Sequence, residues 1–352
     1  MKVNIKDLIS IYEKEVSRNT KNKDKVYRFE KYKMLNISNI KNIIESGNFF
    51  ITNYNIFYIY EPKLRIIMSL DIGNRIIDHY IAKHILLNKL DKYLDIRNVA
   101  SRKNMGINYG INLVKKYIEK HKKYNNFYVL KLDIKKYFYT IDHEILKKQL
   151  EKYLNKEELS LVSTFINSTN AKYVNKRISI IKDKLLERAK TEKQRQEILD
   201  IPYYEYGKGL TIGNVCSQIL SIFYLSSLDY YIIHTLKSKY MVRYCDDLII
   251  FHHNKEYLKY VFEKIINELE KYKLKIIKKK SFITNTKYGF IFCGNYIKVD
   301  NGKTIIRRCS ESKIKIRRSI RKKRKLYLKR KISYRLYFNS ANSYKLIKSW
   351  QK

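Results

Sequence analysis

The stretch "YMVRYCDDLIIFHH" (Tyr240–His253) places two aspartates side by side between two strand-like runs. The residues before the pair alternate with the two-residue period of a strand, and Leu248–Phe251 form a second apolar run. The pattern predicts a hairpin with Asp246 and Asp247 at or near its reversal. Adjacent carboxylates repel each other and are costly to bury unpaired. Two interpretations are open: a turn that favours Asp for its geometry, or a site whose missing partner is a divalent cation.

A second acidic site occurs in "VLKLDIKKYFYTIDHEIL" (129–146). Alternate residues of the predicted strand form an apolar face that can pack on helices, while Asp133 points the other way at the strand end. Asp142 has a structural role as the N-cap of the next helix, whereas Asp133 has none. If Asp133 met the aspartate pair, three carboxylates would suit hard divalent ions such as Mg²⁺. Two such ions, roughly 3.5–4 Å apart, can activate a hydroxyl nucleophile and stabilise a phosphate leaving group.

The charge of the chain points to a nucleic-acid partner. Its 352 residues contain 75 Lys and Arg against 33 Asp and Glu, a formal net charge of +42. Such a charge is self-repelling unless an anion neutralises it, and phosphate contacts supply most non-specific nucleic-acid affinity. Lys, Ile, Asn and Tyr have AT-rich codons, so genome composition is an alternative source of part of the basicity and of the 33 Tyr.

The cysteines and the hydropathy pattern favour a cytoplasmic protein. The four Cys are widely spaced, without a CxxC pair, so neither a zinc site nor a disulfide framework is indicated. The first residues lack the apolar core of a signal peptide. No run of about eighteen uncharged apolar residues occurs, so no membrane span and no membrane partner are expected.

The order of elements predicts an α+β fold, an antiparallel sheet carrying helices on one face. Residues 1–60 are predicted to be helix and loop, and the segment from Lys63 to Leu94 a short strand followed by a helix. Further on, the patterns predict a charged helical insertion at about 155–200, a long apolar helix within 209–236, a helix at Lys255–Lys271 and a hairpin at 288–299.

Three segments, in this order, resemble motifs of reverse transcriptases, polymerases with a right-hand fold. "DIKKYFYTIDH" resembles the first palm motif, "KGLTIGNVCSQ" a Gly-led motif, and "YCDD" the Tyr-x-Asp-Asp hairpin. The resemblance extends from about Arg65 to Gly294. It implies an N-terminal extension and fingers (1–125), a palm with an antiparallel sheet (126–300, with the insertion at about 155–200) and a short basic helical thumb (301–352).

The resemblance implies an RNA-directed DNA polymerase, a nucleotidyltransferase that binds dNTPs, an RNA template and a DNA product. Asp133 and Asp246 would be the main ligands of two Mg²⁺ ions, with Mn²⁺ as a substitute. Asp247 would be a weaker ligand or a supporting group, and the backbone carbonyl of Ile134 would complete the metal site.

The resemblance also implies a dNTP-binding set. Cations suit the triphosphate because negative charge builds up on the transferred phosphoryl group, although a surface role is the alternative for Lys63. Phe138, five residues after Asp133, falls at the position of a steric gate against a ribose 2′-hydroxyl; an ordinary core Phe is the alternative. The complete set is Lys63, Arg65, Phe138, Ile212, Gly213 and Gln218.

Template and primer contacts are implied in the fingers, at the hairpins and in the tail. "FIFCGNYI" resembles the primer grip, although Cys293 and Asn295 stand where the family commonly has Leu and Tyr. The tail "IKIRRSIRKKRKLYLKRK" (314–331) fits a cationic helix along a duplex, with a disordered basic arm as the alternative. The residues implied are Arg75, Arg102, Lys103, Tyr244, Cys293, Gly294, Arg317, Arg318, Arg321 and Lys322.

The Gly-led motif indicates a subtype among bacterial enzymes. Group II intron and retron enzymes usually have Gln-Gly and then Ser-Pro, whereas this chain has Ile212-Gly213 and then Ser217-Gln218. The pattern resembles enzymes of diversity-generating retroelements and the abortive-infection and defence-associated group. Loss of the polar contact at Ile212 implies reduced fidelity or, alternatively, local repacking. About sixty residues follow the primer grip, too few for the extra domains of an intron-mobility enzyme.

The sequence thus predicts a reverse transcriptase that copies a partner RNA, expected to be non-coding, in antiphage defence or a diversity-generating retroelement. Two alternatives remain open. The same site could perform template-independent or protein-primed DNA synthesis, or the chain could be a non-catalytic RNA-binding scaffold. A homo-oligomer or an accessory protein is a further expectation.

Overall fold

The computed structural model describes residues 2–60, 63–124 and 126–309. The chain forms two compact units, each built from two separate parts. The first unit comprises the residues up to Leu94 and residues 136–226, and the second comprises residues 95–135 and those from 227 onward. The division into fingers, palm and thumb at 125/126 and 300/301 stays a prediction. Arg317, Arg318, Arg321, Lys322 and the rest of the basic tail lie outside the described residues.

The helices and strands follow the predicted α+β pattern, which is confirmed. The helices are α1 (Ile5–Ile11), α2 (Lys23–Lys31), α3 (Lys33–Ser46), α4 (Ile72–Tyr80), α5 (Asn88–Leu90), α6 (Ile107–His121), α7 (Tyr137–Thr140), α8 (His143–Leu150), α9 (Lys156–Asn167), α10 (Lys172–Glu187), α11 (Glu192–Leu199), α12 (Val215–Tyr224), α13 (Ser226–Tyr230) and α14 (Lys255–Lys271). The strands are β1 (Asn55–Ile59), β2 (Arg65–Ser69), β3 (Tyr128–Asp133), β4 (Met241–Tyr244), β5 (Asp247–His252), β6 (Phe282–Asn285), β7 (Phe290–Phe292), β8 (Asn295–Asp300) and β9 (Lys303–Arg308).

The first unit is mainly helical, and its described residues include the antiparallel pair β1–β2. Helix α4 begins where Asp71 accepts a hydrogen bond from the N–H of Asn74 at 2.7 Å. Its apolar side chains at helical spacing are buried, as the sequence predicts. The helix continues through Ile81–Leu87 in wider, π-type turns.

The predicted charged insertion at 155–200 is helical, and part of it is buried. Helix α9 starts in a capping box, in which Asn155 and Glu158 satisfy each other's backbone N–H groups. One face of α9 is apolar and belongs to the core of the first unit: Leu161, Val162, Phe165 and Ile166 are buried. The composition of residues 155–200 does not reveal this apolar face, because many charged residues surround it in the sequence.

The second unit is built on a four-stranded antiparallel sheet in the order β4-β5-β3-β6. Helix α14 packs on one face of this sheet. The other face joins helix α6 and a second sheet, β7-β8-β9, in one apolar cluster that includes Val114, Val129, Ile249 and Phe292. The central strands β3 and β5 are therefore buried on both faces, which fixes the ends that carry the aspartates.

Among the described residues, no helix combines the length and the apolar character needed to cross a bilayer.

Candidate functional site

The pairing of β3 with β5 brings two of the predicted aspartates together. In the antiparallel register, Asp133 at the end of β3 lies directly opposite Asp247 at the start of β5. Residues paired in this way point to the same face of the sheet. Asp246 lies in the turn that joins β4 to β5, next to this pair. The hairpin predicted around "YCDD" is thus present, with Asp246 in the turn and Asp247 already in the strand.

The turn that carries Asp246 is tight. Tyr244 and Asp247 pair across the hairpin, so Cys245 and Asp246 are the only residues between the paired positions. Cys245 has φ 54°, in the left-handed region. A positive φ at the first turn residue matches the right-handed twist of the two strands. The backbone therefore holds Asp246 at a defined point of the sheet edge.

Two lysines neutralise the carboxylates at this edge. Lys131 Nζ lies 3.1 Å from Asp247 Oδ1, and Lys280 Nζ lies 3.6 Å from Asp133 Oδ2. Burial raises the pKa of Asp247, and Lys131 opposes that rise, while Asp133 adds to it. In residues 2–60, 63–124 and 126–309, no three His, Cys, Asp or Glu side chains lie close enough together to hold a metal ion. The assignment of Asp133, Asp246, Asp247 and the Ile134 carbonyl as metal ligands stays a prediction.

The hairpin predicted as the primer grip reaches the same edge. Cys293 and Gly294 form a two-residue turn between β7 and β8, with φ 47° and 71°. The N–H of Cys293 donates to Asp247 Oδ2 at 3.2 Å. Asn295, where the family commonly has Tyr, is fully buried and donates from its side chain to the carbonyl of Cys293 at 3.2 Å. The departure from the family pattern thus has a structural role in closing this turn.

The first unit holds most of the predicted dNTP-binding residues near strand β2. The N–H of Met68 in β2 donates to the carbonyl of Ile212 at 2.9 Å. Gly213 has φ 136°, and a Cβ atom there would lie 2.7 Å from the carbonyl oxygen of Met68. Only glycine fits this close approach. The Gly-led segment therefore lies against the strand that Arg65 begins.

A buried polar network fixes the Gly-led segment. The hydroxyls of Thr211 and Ser217 share a hydrogen bond of 2.9 Å, and Asn214 Nδ2 donates to Thr211 and to Tyr54 Oη at 2.8 and 3.0 Å. These side chains are 6% exposed or less. In the Ser-Gln pair, Ser217 is thus buried in this hydrogen-bond network, whereas Gln218 is exposed at the surface.

Asp78 is a functional candidate that sequence reasoning missed. Its carboxylate is buried and accepts from the N–H groups of Val215 and Cys216, at 2.8 and 2.9 Å, at the first turn of α12. Burial raises the pKa of Asp78, and these two hydrogen bonds oppose the rise. The signal in the sequence was an acidic residue directly after the apolar pair Ile76–Ile77 in "NRIIDHYI".

The predicted gate residue Phe138 is half-buried on the short helix α7. Its carbonyl accepts from the N–H of Leu210 at 2.6 Å, which ties α7 to the Gly-led segment. The ring of the neighbouring Tyr139 stacks on Tyr204 with centroids 4.6 Å apart. A role of the Phe138 ring against a ribose hydroxyl stays a prediction.

Two arginines predicted to contact nucleic acid make hydrogen bonds within their own units, and their contact with nucleic acid stays a prediction. Arg75 Nη1 donates to the hydroxyl of Thr20 at 2.9 Å. Arg102 Nη1 donates to the carbonyls of Asp95 and Asn98, at 2.7 and 3.2 Å. Lys103 is exposed, as are Lys63 and Arg65, and Tyr244 is partly buried against the apolar cluster of the second unit.

An antiparallel sheet with acidic side chains at the ends of adjacent strands is the arrangement of a polymerase palm. Residues 61–297 match the family described as Reverse transcriptase (RNA-dependent DNA polymerase). Because this match covers more than half of the chain, the protein belongs to the reverse transcriptase family, a class of RNA-directed DNA polymerases. No curated protein sequence matches the chain.

A solved telomerase structure shares the fold. Telomerase from Candida tropicalis, in complex with a TWJ fragment of telomeric RNA, aligns with a TM-score of 0.50 and 16% identity over 74% of this chain and 45% of that chain. The apo telomerase from the same organism, truncated from its C-terminal domain, gives 0.49 and 15%, over 76% and 58%. The chain spans about half the length of the telomerase chains it matches, and at these identities the likeness concerns the fold alone.

Proposed function

We propose that this chain is an active reverse transcriptase, which adds dNTPs to a primer on an RNA template, with Asp133, Asp246 and Asp247 as its divalent-metal site. The observation that carries the proposal is the β3–β5 register, which places Asp133 opposite Asp247 next to the turn that holds Asp246. All three residues fall inside the segment that matches the family.

The chemistry of the donor set supports a divalent cation. Carboxylate and carbonyl oxygens are the donors that Mg²⁺ prefers, and members of this family generally depend on divalent metals. The partly buried carboxylate of Asp247 is stabilised by a cation, here the ammonium of Lys131. Without ions these side chains do not form a ready three-ligand site, so two Mg²⁺ or Mn²⁺ ions would have to displace the lysine ammonium groups from Asp133 and Asp247. Held by the three aspartates and the Ile134 carbonyl, they would supply charge neutralisation at the reacting phosphate and activation of the primer hydroxyl.

The residues of the first unit would bind the incoming nucleotide. Arg65 and Lys63 are exposed cations at the β1–β2 hairpin, suited to hold the triphosphate. The backbone of Ile212 and Gly213 is fixed against β2 and presents the exposed Gln218 on the following helix. Phe138 would exclude the 2′-hydroxyl of a ribonucleotide.

The finer role is proposed from the Gly-led motif. Ile212 in place of Gln, followed by Ser217-Gln218, supports a bacterial enzyme of the defence-associated or diversity-generating group. Its template would be a partner non-coding RNA, with a DNA product and a cytoplasmic location, and a second copy or an accessory protein as a further partner. The net charge of +42 supports a nucleic-acid partner.

The test is primer extension by the purified protein with Mg²⁺, using an RNA template, a DNA template or no template. We expect RNA-dependent dNTP incorporation, and a loss of at least about a hundredfold in Asp246→Asn/Asp247→Asn, as when a charge-stabilising group is removed from an active site. Asp300→Asn, an exposed carboxylate of the same unit, is the matched control and should retain activity.

Two outcomes would replace the proposal. Template-free product that is lost in Asp246→Asn/Asp247→Asn would keep the metal site but assign it to template-independent or protein-primed synthesis. Absence of incorporation in every lane, with RNA co-purified from the host included, would favour an RNA-binding scaffold.

A further inference from the structure

A buried ion pair lies directly behind the turn that carries Asp246. Arg243 in β4 and Asp229 in α13 are each 1% exposed. Arg243 Nε donates to Asp229 Oδ1 at 2.7 Å, and its Nη2 donates to Oδ2 at 2.5 Å. Both carboxylate oxygens thus accept from one guanidinium, the bidentate geometry that orients an arginine most firmly.

The same guanidinium also reaches the turn. Arg243 Nη1 donates to the carbonyl oxygen of Cys245 at 2.9 Å. Cys245 holds the left-handed φ of 54° that the two-residue turn requires, a conformation that is unfavourable for residues other than glycine. A charged donor to its carbonyl therefore stabilises the peptide unit that leads directly into Asp246.

The backbone of Arg243 is anchored as well. Its N–H donates to the carbonyl of Arg97, and its carbonyl accepts from the N–H of Val99, both at 2.9 Å. On its other side β4 pairs with β5. Because its main chain and its side chain are both held by hydrogen bonds, Arg243 couples the position of the turn to that of α13.

Burial of this pair is not explained by stability alone. Desolvation raises the pKa of Asp229, and Arg243 opposes the rise. Replacement of buried ion pairs by well-packed apolar residues often leaves stability unchanged or improves it. The pair gives something that two apolar residues could not, namely a third, directed hydrogen bond to the carbonyl of Cys245.

We propose that Asp229 and Arg243 are positioning residues of the polymerase site: Asp229 aims the Arg243 guanidinium, and the guanidinium holds the Cys245–Asp246 turn where Asp246 can bind a divalent cation. This inference rests on the proposed function. Groups that support a metal ligand from behind commonly change metal affinity or activity about ten- to a hundredfold when they are removed.

The decisive variant is the double change Asp229→Leu/Arg243→Met, which removes both charges at once. We expect a melting temperature close to wild type, since no unpaired charge remains buried. We also expect a kcat about tenfold or more below wild type, Mn²⁺ binding weaker by about tenfold in a titration without nucleotide, and a dNTP KM changed by less than about threefold. Arg243→Lys, which keeps the charge but cannot make three directed hydrogen bonds, should show the same split.

Arg97→Lys is the matched control. The side chain of Arg97 binds Asp95 and the carbonyl of Lys239 in the same unit, without a hydrogen bond to the turn. The change to Lys keeps the backbone carbonyl of residue 97 that accepts from Arg243. It should leave kcat and Mn²⁺ binding unchanged. If the double variant is folded and retains wild-type kcat and Mn²⁺ affinity, the inference is overturned; if it does not fold, the same result in Arg243→Lys overturns it. Absence of any activity in the wild type would instead count against the proposed function, while the Mn²⁺ titration would still test the positioning role.

Discussion

The ammonium of Lys131 lies 3.1 Å from Asp247 Oδ1, and the two side chains are 10% and 22% exposed. Lys131 thus occupies part of the carboxylate that a divalent cation would use. We expect Lys131→Met to tighten Mn²⁺ binding in the absence of nucleotide by about tenfold, or about 1.4 kcal/mol, within the range for charges about this far apart near a protein surface. The measurement is an Mn²⁺ titration followed by electron paramagnetic resonance.

Lys298→Met is the control for Lys131→Met, because Lys298 pairs with the more exposed Asp300 at 3.2 Å. It should leave the Mn²⁺ titration unchanged. Weaker Mn²⁺ binding in Lys131→Met would show instead that Lys131 orients Asp247, with the help of its second hydrogen bond to the carbonyl of Ile291.

Gly213→Ala should disturb nucleotide binding. The added Cβ would lie 2.7 Å from the backbone oxygen of Met68, at a φ of 136°. Because the added atom meets backbone, which cannot shift as easily as a flexible side chain, the Gly-led segment should move away from β2. We therefore expect the KM for dNTP to rise several-fold in steady-state primer extension. Gly207→Ala is the matched control: its φ of 73° costs about 1–2 kcal/mol, but nothing lies within 4 Å of the added atom. Equal effects of the two changes on KM would contradict the prediction.

Asp78→Ala should destabilise the first unit more than the loss of an ordinary helix cap. It would leave the buried N–H groups of Val215 and Cys216 without their acceptor. We expect the free energy of unfolding to fall by about 2–4 kcal/mol, the cost of orphaning two buried donors. Asp71→Ala removes the exposed cap of α4 and should cost about 1 kcal/mol. Urea denaturation of both variants checks the difference, and similar losses would show that Asp78 acts only as a cap.

His143 should make stability fall in mild acid. Its imidazole is 1% exposed and donates from Nε2 to the carbonyl of Gly209 at 2.7 Å, and burial lowers its pKa. In the unfolded chain this histidine binds a proton near pH 6.5, whereas in the folded protein it stays neutral to lower pH. The free energy of unfolding therefore decreases as pH falls below about 6.5, by up to about 1.4 kcal/mol per pH unit. Urea denaturation between pH 5 and pH 8 should show a shallower slope in His143→Gln. An unchanged slope would mean that other groups carry the effect.

Phe138→Ala should relax the discrimination against ribonucleotides if its ring is the gate. We expect the ratio of kcat/KM for rNTP to that for dNTP to rise at least about tenfold, since a shape-based contact of this size is worth about 1–3 kcal/mol. Phe50→Ala removes an aromatic side chain of the same unit that is 76% exposed and should not change the ratio. A lower activity with an unchanged ratio would make Phe138 an ordinary packing residue.

Local patterns were sufficient to predict most elements but not their partners. The alternation before Asp246 and the cap at Asp142 predict β4 and α8 because these signals lie within a few residues of the element. The strands β1 and β9 were missed, since each becomes a strand by pairing with a neighbour rather than by a strong pattern of its own.

The candidate site, like the fold, could be predicted only in part: its residues follow from local motifs, but their spatial arrangement does not. The sequence motifs predict Asp133, Asp246 and Asp247 as a set. The position of Asp133 opposite Asp247, however, depends on a strand register that long-range packing sets. A shift of this register by one residue would turn every side chain of the strand to the other face of the sheet. Lys131 shares a face of β3 with Asp133, because residues two apart in a strand point the same way. It is buried, because the β7–β8 hairpin covers that face and accepts its hydrogen bond.

The path of the chain has a consequence for biogenesis. The polypeptide passes from one compact unit to the other after residues 94, 135 and 226. On the ribosome, therefore, the first unit cannot close until residue 226 has left the exit tunnel, and the second cannot close until the strands after residue 280 are made. Both units depend on contacts between distant parts of the chain, and such contacts slow folding. Until they form, apolar surface stays exposed to chaperones. A gene split at any of these three points would leave at least one unit without one of its two parts, so its fragments would have to be made together to fold.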